Sequence, residues 1–428
     1  MQALRFAAAL YARQLGIVHR GHLRRDALSL LHLAPGRDDP YRIYRRVRDA
    51  GDLTRTALGH FITARHAVCD SVLRDRRFGV RAADMNGPGA PGDEIDMSFL
   101  DRDPPDHTRL RRLAQPAFSP RRIAGYRPLV ERRVDQLLDA AGPMFDLVPA
   151  FASPLPITVI IDLLGVPASD ADGFAAHGAV IGSALDGVRS LRHAARLRTA
   201  SGELDRVFER LFTLRRTAPA DDAVSRILAA EGDQIQSHEL LPMCRLLLVA
   251  GFETTVNLIG NAVTALLDHP DQWRALCDDP AGLAGPAVEE TLRWDPPVQR
   301  TSRIALEDVE VAGVPVRRGQ FVVSLIAGAG RDPAVHTDPD RFDITRTPGV
   351  DHLAFSSGIH YCVGAPLARL EATVALQRLA ERMPGLHRAG AVRRRNSGVI
   401  RGPISLPVAL TPRRSASTAA PAAGRTAR

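Results

Sequence analysis

The sequence predicts a mainly α-helical protein with small β regions, folded as one large unit around an internal site. Three observations carry that expectation. Helical periodicity of 3.6 residues runs through about 120–140, 190–215 and 237–268. Strand-like alternation is confined to 52–64 and 309–328. No internal repeat and no obvious linker divides residues 35–410.

Taken in order, residues 1–34 read as a basic amphipathic extension. Its apolar run is interrupted by Arg5 and Arg13 and lacks a small-residue cleavage site, so a surface helix fits better than a secretory signal, with membrane contact as the lesser alternative. DLTRTALGHFITA (52–64) reads as a short hairpin. The Gly- and Pro-rich segment 79–100 reads as a mobile loop. The longest helix, 237–268, has Ser237 as its expected cap, Pro242 in its first turns and His269-Pro270 as its stop. At 1.5 Å per residue it spans about 45 Å, and LLLVAG (246–251) marks it as buried. Residues 309–328 read as a second sheet region, with GAG (328–330) as a strand end. A last helix is expected from about Val363 to Met383, before Pro384-Gly385. Residues 411–428 read as a disordered basic tail.

The charge of the 428-residue chain, +8, is unevenly placed. Residues 1–31 carry +4, residues 411–428 another +4, and 32–410 are neutral. The body therefore lacks the excess of positive charge that would hold a nucleic acid. All 56 basic side chains are Arg, so Schiff-base and phosphate-loop Lys chemistry is excluded. The four cysteines, Cys69, Cys244, Cys277 and Cys362, are scattered without a CxxC pair, which argues against disulfides and tetrahedral zinc. No run of eighteen apolar residues suggests a membrane span, and a cytoplasmic protein is expected.

The sharpest chemical feature is FSSGIHYCVGAPLARLE (355–371). A glycine-punctuated loop delivers Cys362 to a helix N-terminus, where backbone N–H groups and the helix dipole favour a thiolate. Such a thiolate serves as a nucleophile, a redox sensor or a metal ligand. The other three cysteines have no such setting and read as inert core residues. In AGFETT (250–255), Gly251 lies in a helix interior, followed by an acid and an alcohol in an apolar neighbourhood. That pattern predicts a locally opened helix and a carboxylate with a reason to be there. Glu290 and Arg293 are one turn apart in EETLR, and His107 and Arg111 share a helix face.

Together these motifs resemble the cytochrome P450 family in its bacterial form. Phe355, Gly358, His360, Cys362 and Gly364 match the F-x-x-G-x-H-x-C-x-G haem loop. The resemblance implies haem b, with Cys362 as the axial iron ligand and electron donation that favours O–O cleavage. It implies that Thr254 and Glu253 form the distal alcohol–acid pair, with Ala250 against the cofactor. Glu290, Arg293 and Arg341 take the place of the structural triad beneath the haem. His107, Arg111, Arg303 and His360 take the places that bind the propionates. Two departures stand out: Ser356 replaces a common glycine, and Gly330 replaces a common Asn before Arg-Asp.

The implied activity is a monooxygenase inserting one atom of O₂ into an organic small molecule by hydroxylation or epoxidation, in specialised-metabolite tailoring. Electrons would come from a separate ferredoxin and ferredoxin reductase, the ferredoxin docking at Arg111, Arg112 and Arg378. Substrate would meet 79–100, helices around 174–215, Val298 and Ile400. Two alternatives are weaker: a non-catalytic auxiliary partner of a glycosyltransferase, and a peroxide-driven variant. The first loses the cysteine and the second often lacks the acid–alcohol pair, whereas Cys362, Glu253 and Thr254 are all present.

Overall fold

The structure, a computed structural model, describes residues 2–81, 96–183, 188, 190–347 and 349–411. Most of the expected loop at 79–100 and nearly all of the expected tail lie outside those residues.

The helix Ser237–Asp268 is the axis of the molecule. It buries residues on every side from Val256 to Leu266, because neighbouring helices surround it. These include Pro154–Leu164, Pro280–Trp294 and Ala365–Arg382. It is also the one helix among the described residues long and apolar enough to cross a membrane. Its apolar window is 83% buried inside the protein, as expected of a core helix. The cap differs from expectation. Gln236 is the N-cap, its N–H donating to Glu239 Oε2 at 2.8 Å, while the Ser237 hydroxyl donates to Glu231. Glu239 closes the turn from within, as in a capping box.

The strands assemble less locally than their spacing suggests. Thr54–Arg55 and Phe61–Thr63 form the expected hairpin. Phe61–Thr63 then pairs in parallel with Phe321–Ser324, so the two expected sheet regions share a five-stranded sheet. Val309–Val311 and Val314–Val316 form a separate two-stranded ribbon. Alternation fixes which face of a strand is buried but does not name its partner. GAG (328–330) corrects another expectation, since Ile326–Ala329 is a single helical turn. Gly330 follows it because a Cβ there would lie 2.1 Å from the Arg293 carbonyl oxygen.

Glu290 and Arg293 form a buried bidentate pair, with both contacts at 2.7 Å. Arg293 also donates to the carbonyls of Gly330, Pro339 and Arg341. The expected third member, Arg341, contributes that carbonyl while its side chain is 64% exposed near Asp343. Arg346 takes the place instead. Its Nε lies 3.4 Å from Glu290 Oε1, and its Nη2 donates to the carbonyls of Asp338 and Arg341. The turn presents the backbone of Arg341 inward, so the inward guanidinium comes from five residues later.

Candidate functional site

The cysteine loop is shaped by two residues with positive φ, Ser356 at +64° and Gly358 at +68°. At Gly358 the glycine is required twice over, since a Cβ would also stand 2.5 Å from the Leu73 carbonyl oxygen. The loop closes with the Cys362 N–H donating to the Phe355 carbonyl at 2.9 Å and the Tyr361 N–H to Gly358 at 3.1 Å. Phe355 is held beneath the Arg369 guanidinium, 4.6 Å from its ring centre, and Arg369 is fixed by Glu289. The helix begins at Ala365 with Gly364 as N-cap, two residues later than expected. Burial raises the Cys362 thiol pKa, while the Gly364 and Ala365 N–H groups and Arg111 pull it down. Burial pushes Cys69 and Cys244 up to about 12 and Cys277 to about 11, which fits their reading as inert thiols.

Beside this loop lies a cluster of buried basic side chains. The ring centres of His107 and His360 are 4.3 Å apart. His107 is 2% exposed and Arg303 is 5% exposed. Both ring nitrogens of His107 and Nε2 of His360 are buried without a hydrogen-bond partner. Arg303 reaches Thr301 and Ser302 and, among the described residues, pairs with no carboxylate. Burial, reinforced by Arg303, His107 and Arg111, pushes the His360 pKa down to about 3. Burial likewise lowers His107 and brings Arg303 down to about 10. Buried donors without acceptors are costly, and an anionic group placed among them would relieve that cost. Two propionates meet this requirement. Arg111 sits at the edge of the set, donating to the Tyr361 carbonyl next to Cys362.

The central helix carries the other predicted residues. Ala250 is exposed and Thr254 half-exposed one turn later, although the residues before and after them are largely buried. These positions therefore face an internal space. The Thr254 hydroxyl donates to the Ala250 carbonyl at 3.0 Å. The helix is continuous here, which corrects the expected opening at Gly251. Gly251 instead accommodates Ile160, whose Cδ1 would lie 2.2 Å from a Cβ. Glu253 is buried and ion-paired to Arg395, with Asn257 Nδ2 3.3 Å from its carboxylate. Arg395 gave no sequence signal, because it lies 142 positions away in a stretch of four Arg within Arg393–Arg401. Val298 and Ile400 meet as an isolated antiparallel bridge. Of the three arginines expected to meet a ferredoxin, Arg112 alone is exposed with no ion pair among the described residues. Arg111 donates to the loop backbone, and Arg378 pairs with Glu381.

A cysteine at a helix start, a buried basic cluster suited to anions and two exposed positions in an otherwise buried apolar helix fit a haem-thiolate class of enzyme. The comparisons with known proteins agree. The profile of the family Cytochrome P450 matches residues 284–382. Putative cytochrome P450 140 of Mycobacterium tuberculosis is 40% identical over 94% of this chain and 96% of its own. Mycinamicin IV hydroxylase/epoxidase of Micromonospora griseorubida is 39% identical over 81% of this chain and 89% of its own. The crystal structure of Mycobacterium smegmatis CYP164A2 superposes with a TM-score of 0.82. It is 40% identical, covering 90% of this chain and 99% of that one. The chain belongs to the cytochrome P450 family. It is a P450 monooxygenase whose cofactor is haem with a cysteine thiolate as axial ligand, and it acts with O₂ on an organic substrate.

Proposed function

We propose that Cys362 supplies the thiolate and that His107, Arg303 and His360, with Arg111 at their edge, hold the propionates. The observation that carries this reading is the buried basic cluster beside a cysteine at a helix N-terminus, in which three imidazole nitrogens have no partner and Arg303 meets no carboxylate among the described residues. Phe355, Gly358 and Gly364 shape the loop, and Ala250 walls the opposite face. When bound, the haem supplies the activation of O₂. Thr254 stands on the space where oxygen and substrate meet and orders water there. Glu253 relays protons toward it, its carboxylate positioned by the ion pair with Arg395. The catalytic unit is residues 35–410, and the reaction is hydroxylation or epoxidation of a specialised metabolite. The name of the Micromonospora relative supports that reaction class. A separate ferredoxin and its reductase supply electrons, approaching the cysteine face near Arg112, and the enzyme works in the cytoplasm.

Three variants test the assignment. Cys362→Ser should abolish the red-shifted carbonyl band that a thiolate ligand gives, and its persistence would refute the ligand assignment. Thr254→Ala should keep that band while diverting reducing equivalents from product to peroxide or water. Glu253→Gln should slow turnover by up to about 10²–10⁴-fold, the general-acid scale. Unchanged rate and coupling in both would remove them from the proton path.

A further inference from the structure

We infer that the N-terminal helix, Gln2–Arg24, docks the enzyme peripherally on an anionic lipid surface. Its side toward the body is fixed: Leu10 is 7% exposed, and Gly21 is buried where a Cβ would stand 2.6 Å from Leu33 Cδ1. Its outer side carries Tyr11, Leu15 and Val18, which are 51%, 70% and 46% exposed. At 100° per residue these three fall within about 60° of arc, a continuous apolar stripe. Leu23, 74% exposed, lies off this stripe, about 80° round the helix from Leu15.

Charge selects the occupant. Residues 1–25 contain five Arg and no acid, whereas residues 32–410 are neutral overall. Arg24 and Arg25 are exposed at the end of the helix. A second copy of the helix would bring arginines against arginines with no carboxylate to pair them. A folded acidic partner would satisfy the arginines but leave a convex row of bulky apolar side chains without a groove. An anionic bilayer satisfies both, since apolar side chains enter the acyl boundary while the arginines feel the surface potential within a Debye length.

The test uses the full-length holoenzyme and sedimentation with vesicles of phosphatidylcholine alone or mixed with phosphatidylglycerol. The protein should pellet with the anionic vesicles and be released by salt. Leu15→Glu with Val18→Glu should lower partitioning by roughly a hundredfold. Arg24→Glu with Arg25→Glu should lower it by roughly tenfold or more. Both pairs lie on the surface, so haem content and thermal midpoint should match wild type, and the losses are then not unfolding. Equal binding to both vesicle types, or none to the anionic ones, would overturn the inference. So would a dimer broken by Leu15→Glu and Val18→Glu in a protein that ignores vesicles. None of these results bears on the haem site, which is tested separately by Cys362→Ser.

Discussion

Two clusters of buried charge serve opposite purposes in this molecule. Around Glu290 and Arg293 every charged atom has partners: two carboxylate contacts, three backbone carbonyls and a second arginine. Around His107, His360 and Arg303 the donors are equally buried, but three ring nitrogens have no partner. Residue type does not distinguish the two, since both contain arginine on regular elements. Satisfaction does. A network complete within the protein braces the fold, whereas an incomplete one marks a place for a ligand's charge.

The largest effect should come from breaking the complete network. Arg293→Ala would leave Glu290 buried without its bidentate partner, at a cost of about 3–5 kcal/mol. It should be read as a lowered denaturation midpoint in the haem-free protein as well as the holoenzyme. Arg346→Ala should cost a smaller part of that, and Arg341→Ala almost nothing. Equal losses at 341 and 346 would contradict the pairing described above.

The incomplete cluster should behave in the opposite way. Arg303→Leu removes a buried guanidinium that meets no carboxylate among the described residues, and His107→Phe removes buried ring nitrogens without a partner, so the haem-free form should lose little stability or gain about 1 kcal/mol. Haem retention, followed by transfer to apomyoglobin, should instead accelerate by about tenfold or more, one bond to a charged group being worth about 1.5–3 kcal/mol. A variant that destabilised the haem-free protein without changing haem transfer would make the cluster structural.

The smallest effect concerns the cysteine loop. Ser356 adopts φ +64° and buries an unpartnered Oγ. Ser356→Gly should therefore stabilise the protein by about 0.5–1 kcal/mol, seen as a small rise in the thermal midpoint with an unchanged spectrum. A fall would mean that the hydroxyl has a use.

Sequence alone determined the helices and the identity of the chemistry. Helical period and caps are local, so Pro120–Ala140, Leu191–Thr217 and Ser237–Asp268 were legible to within a few residues. The cysteine loop was legible because its glycines, histidine and cysteine lie within ten residues and their order carries the chemistry. Tertiary structure decided the partners that lie far apart in the chain. It joined Phe61–Thr63 to Phe321–Ser324, chose Arg346 over Arg341, set Arg395 against Glu253 and gave Gly251 its purpose beneath Ile160. In each case the sequence offered several equivalent strands, arginines or open positions. Only the packing of one element on another, where a carbonyl turned inward or a methyl group needed space, made one of them the answer.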